Sequence, residues 1–171
     1  EERVVTSGAC GTVGGYGGGV FSAGVELAGQ LMQEARRYYG NIVGKFGAQV
    51  QAVVRKLDGV PIDMSCPLHG PVLRGDDLAL MIARDQAWST YQPESSGVLI
   101  AYASMYGNTE SAVNRLASAL RQRGVHDLRM FDVSKTHFST IIAEAFRLSH
   151  MVLASPTYNM NLFGPMETLE R

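Results

Sequence analysis

The stretch Val98-Leu-Ile-Ala-Tyr-Ala-Ser-Met-Tyr-Gly-Asn-Thr-Glu110 leaves this chain few folds to choose from. An apolar, β-prone run ends at Ser104, a short loop containing Gly107 follows, and Thr109 opens an amphipathic helix. A strand that turns sharply into a helix aims the first helical N–H groups at one point. Those groups have no partner inside the helix, and the helix dipole adds partial positive charge there. Hydroxyls at Ser104 and Thr109 add donors, and Gly107 lets backbone approach a ligand closely. The pattern suits a phosphate. It has no lysine and therefore is not the ATP/GTP loop, which needs Gly-Lys-Ser/Thr. Neutral donors suit a monophosphate better than a triphosphate with magnesium. The plain alternative is a strand–helix turn capped by Thr109.

The residues that follow extend the pattern. A helix over 109–123 puts Val113, Leu116, Ala117 and Leu120 on one stripe, with Gly124 at its C-terminal stop. Residues 128–133 read as a strand, and 139–149 as a helix with Ile141, Ile142, Ala145 and Phe146 inward. Residues 151–154 read as a third, short strand. This β-α-β-α-β order implies an α/β fold with a parallel sheet and right-handed crossovers. Ligands in such sheets sit beyond the carboxyl ends of the strands, where strand order reverses. The segment after the third strand, Ser155-Pro-Thr-Tyr-Asn-Met-Asn-Leu-Phe163, supplies polar groups and then aromatic ones where a flat ring would meet them.

The first half reads differently. Residues 4–12 suggest a strand running into the glycine-rich Gly14-Gly-Tyr-Gly-Gly-Gly19, which cannot be spaced as Gly-x-Gly-x-x-Gly and lacks the βαβ setting of a dinucleotide site. Residues 27–43 and 48–58 suggest two helices. The first has Glu, Gln and Arg outside; the second has Val50, Val53, Val54 and Leu57 on its buried face. Residues 60–66 alternate as a half-buried strand, and His69 follows in Pro67-Leu-His-Gly-Pro71, a stiff loop in which Arg74 is expected to find an acid nearby. The net charge of −1 with no basic run gives no sign of nucleic-acid binding. Cys10 and Cys66 show neither disulfide nor metal spacing and read as buried small hydrophobes. No apolar run is long enough to span a membrane and no signal peptide is visible, so a cytoplasmic setting is the expectation.

The two loops carry a resemblance. Ser104-Met-Tyr-Gly-Asn-Thr109 resembles the FMN phosphate loop of flavodoxin-like domains, and Ser155-Pro-Thr-Tyr-Asn159 their ring-contacting loop. Upstream, Glu34-Ala-Arg-Arg-Tyr-Tyr-Gly-Asn-Ile-Val-Gly-Lys45, Cys66-Pro-Leu-His-Gly-Pro-Val-Leu-Arg74 and Trp88-Ser-Thr-Tyr91 resemble the flavodiiron proteins. In that family a metallo-β-lactamase-like domain with two irons precedes a flavodoxin-like FMN domain. The resemblance implies a C-terminal part of the first domain at 1–88, a linker at 89–96, and the front of an incomplete, doubly wound flavin domain at 97–171. The chain then reads as an internal piece of a longer protein, one that would bind FMN poorly in isolation.

The resemblance also implies site residues. FMN would lie on Ser104, Met105, Tyr106, Gly107, Asn108 and Thr109, and on Ser155, Pro156, Thr157, Tyr158, Asn159, Leu162 and Phe163. His69 falls at the family's last iron-ligating histidine, whereas His126, His137 and His150 read as structural or surface residues. Gly8 stands where the family has an aspartate bridging the irons. No catalytic residue is assigned.

Three functions follow. One is an oxidoreductase that passes electrons from FMN to a diiron site, reducing dioxygen to water or nitric oxide to nitrous oxide. It would be fed by rubredoxin or a similar donor and would work as a head-to-tail homodimer. The second is an FMN electron-transfer module with a degenerate metal domain, the reading Gly8 favours. The third is a metallo-β-lactamase-like hydrolase fused to a flavodoxin-like domain.

Overall fold

A computed structural model describes residues 3–7, 29 and 31–170. They fall into two units, Glu1–Gln92 and Pro93–Arg171.

In the first unit, β1 (Val4–Ser7) is parallel to a later strand, β2 (Met64–Pro67). Between them run α1 (Met32–Tyr38), a π-helical turn over Tyr39–Val43, a 3-10 turn over Gly44–Phe46, and α2 (Gly47–Leu57). The two expected helices are thus one nearly unbroken helical run, because nothing between them is a proline and a wider turn absorbs the change of direction. Leu31, Met32, Ala35, Tyr39 and Val43 are buried, and so is Arg36, which the sequence placed outside. The buried face of α2 keeps most of the expected row, with Val50, Val54 and Leu57 half-buried. Gly47 is buried and Gln51 and Val54 are half-buried, while Val53 is 50% exposed.

Gly47 and Gln51 lie on the same face and add a polar contact to it. A Cβ on Gly47 would lie 2.5 Å from the Ser89 carbonyl oxygen, and the Gln51 amide donates to that same oxygen at 2.8 Å. The helix therefore seats backbone and a polar side chain on Ser89. β2 starts four residues later than the alternation suggested, after Pro61, which has no N–H for a ladder. β3 (Leu73–Arg74) pairs antiparallel with β2, and α3 (Gly75–Ser89) follows. Its fully buried Trp88 packs on Tyr39 with ring centroids 5.2 Å apart, and the Tyr91 hydroxyl donates to the Gly44 carbonyl at 3.0 Å. Residues 34–45 and 88–91, prominent in the sequence, are therefore packing partners.

In the second unit, β4 (Ser95–Tyr102) is the central strand, α4 (Asn108–Gln122) and β5 (Leu128–Asp132) follow, and then α5 (Phe138–Arg147) and β6 (Leu148–Ala154). The sheet order is β5-β4-β6, all parallel. Residues 98–103 are buried without a break, the mark of a strand covered on both faces. Val98, Ile100 and Tyr102 pack with Val113 and Ala117 of α4, whereas Leu99, Ala101 and Ala103 pack with Ile141, Leu148 and Met166. Alternate side chains thus build two layers of a doubly wound α/β fold. Leu116 lies 37% exposed at the edge of the α4 stripe rather than within it.

The stop of α4 is as expected. Gly124 has φ +87°, its N–H donates to the Arg121 carbonyl and that of Val125 to the Leu120 carbonyl, closing the helix end. The expected helix end at 149 and strand start at 151 are both displaced, because α5 passes into β6 with no loop. Arg147 is the last helical residue; its guanidinium grips Asp127 and Glu144, and Leu148 is already extended and paired with Ser95. Beyond β6, β7 (Thr157–Tyr158) and β8 (Asn161–Leu162) form a small antiparallel hairpin, and α6 (Gly164–Glu170) follows. Among the described residues no helix is long and apolar enough to cross a membrane.

Candidate functional site

The two loops singled out in the sequence leave the sheet side by side. The Ala103 N–H donates to the Ala154 carbonyl at 2.9 Å, so residues 104–109 and 155–163 both begin at the carboxyl ends of the adjacent strands β4 and β6. With β5 on the other side of β4, successive connections leave in opposite directions here, which opens the crevice where α/β sheets hold ligands.

The first loop is shaped by Ser104 and Gly107. Ser104 Oγ accepts from the N–H groups of Gly107 at 3.1 Å and Glu110 at 3.3 Å, drawing the loop into a tight arc. Gly107 has φ +85°, a conformation that disfavours side chains, and an added Cβ would meet nothing within 4 Å. The cradle is therefore open. Asn108 and Thr109 open α4, and their N–H groups have no partner within the helix. Met105 and Thr109 are half-buried, while Tyr106 is 86% exposed at the rim.

The second loop is tied by Ser155. Its Oγ donates to the Pro156 carbonyl at 3.1 Å and accepts the Phe163 N–H at 3.3 Å. Asn159 and Met160 both have positive φ, 49° and 66°, which makes the hairpin tip a two-residue turn of the kind that matches strand twist. Thr157, Tyr158, Asn159 and Leu162 are exposed. Phe163 is half-buried against the cluster that contains Met166 and meets Tyr158 edge-on at 6.1 Å. Tyr158 thus faces outward, while Phe163 anchors the hairpin on the core.

A cluster that the sequence did not suggest lies at the same end of the sheet. The buried Tyr102 hydroxyl donates to Glu110 Oε1 at 3.4 Å, and Tyr102 pairs in register with Asp132, whose carboxylate meets Lys135 at 3.0 Å. Burial first, and then the negative charges of Glu110 and Asp132, raise the Tyr102 pKa above that of an ordinary tyrosine. Burial works against the Asp132 charge, but Lys135 and the Ser134 N–H prevail and hold its carboxyl below the usual value. Within an apolar run, the one clue was a tyrosine, which brings a polar end into a buried strand.

His69 belongs to the first unit. It is exposed, between Leu68 at 71% exposure and Gly70 with φ +118°, while Pro71 is buried. Among the described residues no group of three or more His, Cys, Asp and Glu side chains is placed to hold a metal ion. Gly8 and Cys10 lie outside the described residues, as does the glycine-rich stretch 14–19. Cys66 is half-buried rather than buried, with its sulfur 3.5 Å from that of Met64, and the Arg74 guanidinium lies 3.6 Å from the same Met64 sulfur. His126 and His150 are exposed, and His137 caps α5 by accepting the Ser139 N–H at 3.2 Å.

No protein-family model matches the chain. It is 31% identical over 138 residues to the anaerobic nitric oxide reductase flavorubredoxin of Vibrio vulnificus, a match covering 76% of this chain and 26% of that protein. It is 28% identical over 131 residues to the rubredoxin-oxygen oxidoreductase of Megalodesulfovibrio gigas, covering 75% and 32%. Its fold superposes on the flavodiiron protein of Giardia intestinalis with a TM-score of 0.91 at 21% identity, over 98% of this chain and 41% of that one. The chain spans roughly a quarter to a third of the length of the curated relatives it matches.

Proposed function

From a chain that belongs to the flavodiiron family, we propose an FMN-dependent oxidoreductase in which the crevice between β4 and β6 holds the flavin. The observation that carries this reading is the open cradle at 104–109, set at the reversal of strand order. Its uncharged donors and open left-handed glycine fit a single phosphate ester. When bound, FMN would supply one- and two-electron chemistry. The chain's own residues would hold it. The Asn108 and Thr109 N–H groups and the Ser104 and Thr109 hydroxyls would meet the 5′-phosphate. The polar groups of 155–159 would line one edge of the ring, with Tyr158 and Leu162 shielding it from water.

The family reading extends to electron transfer from FMN to a diiron site that reduces dioxygen or nitric oxide. It includes rubredoxin or a similar donor, a head-to-tail homodimer and a cytoplasmic location. His69 is the ligand these residues would contribute. The described residues do not by themselves make a two-metal site.

A second reading rests on Gly8, which has no carboxylate to bridge two irons and offset their charge. It makes the protein an FMN electron carrier with a degenerate metal domain. The test is the full-length protein as found and with Gly8→Asp, measured for bound flavin, iron content and reduction of dioxygen and nitric oxide. FMN with two irons and turnover in the glycine form supports the first reading. FMN without iron, with iron gained in the aspartate form, supports the second. A protein with neither flavin nor flavin affinity overturns both. Zinc with hydrolytic activity would instead favour a hydrolase.

A further inference from the structure

We infer that Tyr102 is a positioning residue for the phosphate cradle, holding the Glu110 carboxylate on its hydroxyl and so keeping that anion out of the phosphate's place. The inference rests on the proposed assignment of residues 104–109 to the FMN phosphate.

Glu110 occupies the first turn of α4, where the helix dipole and open N–H groups attract any carboxylate. A free carboxylate there would compete with a phosphate for the same donors. In the structure it is otherwise engaged. Tyr102, 6% exposed, points its hydroxyl at Glu110 Oε1, 3.4 Å away. The Glu110 N–H is taken by Ser104 Oγ at 3.3 Å, so one residue ties the loop through its backbone while its charge is held on the strand. The other charged groups facing this pair, Asp132 and Lys135, pair with each other at 3.0 Å. Burial and the surrounding negative charge keep the Tyr102 hydroxyl protonated, so it remains a donor across the physiological range.

Riboflavin, which has the ring but no phosphate, separates this role from a general structural one. The full-length protein is titrated with FMN and with riboflavin in four forms: wild type, Tyr102→Phe, Glu110→Gln, and both together. Tyr102→Phe should weaken FMN by about fivefold, the scale of one ordinary hydrogen bond, and leave riboflavin unchanged. Adding Glu110→Gln to Tyr102→Phe should restore FMN affinity, because the competing charge is gone. If Tyr102→Phe weakens both flavins equally, or the double variant stays as weak for FMN as Tyr102→Phe alone, the inference is wrong. If the wild type itself prefers FMN no more than riboflavin, the phosphate assignment falls first. A preserved wild-type preference with an unaltered Tyr102→Phe removes only the role given to Tyr102.

Discussion

Thr109 is the residue whose chemistry most directly tests the cradle. Replacing its hydroxyl with a methyl in Thr109→Val leaves a buried phosphate oxygen short of one donor and should weaken FMN by about 1–3 kcal/mol. Flavin fluorescence titration reads this, and an unchanged affinity would move the phosphate elsewhere. Two glycines make an instructive contrast. At Gly107 an added methyl meets nothing but must accept φ +85°, so Gly107→Ala should cost about 1–2 kcal/mol through backbone strain alone. At Gly47, the first residue of α2, alanine is intrinsically better by at most about 1 kcal/mol. There, however, the new Cβ would stand 2.5 Å from the Ser89 carbonyl oxygen, which cannot move without moving α3. The clash should prevail, and Gly47→Ala should lower stability by about 1–3 kcal/mol in chemical denaturation. A stabilised Gly47→Ala would mean the contact relaxes freely.

At the scale of elements, the hairpin β7–β8 and the α5–β6 junction have separate jobs. Tyr158, 57% exposed, contributes little to packing, so Tyr158→Ala should shift the flavin potential and leave the melting temperature almost unchanged. Phe163 joins the core cluster, so Phe163→Ala should cost about 2–4 kcal/mol of stability. Potentiometry and calorimetry on the two variants separate these effects, and a reversed pattern would put the ring elsewhere. The junction is held by charge. Hydrogen bonds from Arg147 and then from Ser95 hold the Asp127 carboxyl well below the usual carboxylate range. A depressed folded-state pKa contributes stability above the unfolded pKa and loses it as pH falls through the folded one. The second unit should therefore weaken below about pH 4. Asp127→Asn should be less stable at neutral pH and flatter across that acid range, and an unaltered acid limb would deny the pair its role. None of this junction was legible in the sequence. Periodicity finds helices and strands but not a helix that runs into a strand without a loop, because the signal there is an arginine meeting acids 3 and 20 residues away.

For the whole molecule, the parallel order β5-β4-β6 and the adjacency of the two loops follow from features that can be read along the chain. They are the unbroken apolar run of β4, the stop at Gly124 and the β-α-β-α-β alternation. What could not be read depends on which face meets a neighbour. Val53 and Leu116 fit their helical stripes by spacing yet lie at the exposed edge, and Arg36 is buried against its polarity. The Tyr102–Glu110 contact joins a strand to the helix after it, a pairing that spacing along one element cannot reveal. Trp88 has one more consequence. It is the chain's single tryptophan, it is fully buried against Tyr39, and it lies in the first unit, whereas the proposed flavin site lies in the second. With FMN kept in excess, ultraviolet-excited emission at Trp88 and the visible absorbance of the bound flavin would then be two optical clocks, one for each unit. Recorded in the same denaturation, they would tell whether the two halves of this chain come apart together or one after the other.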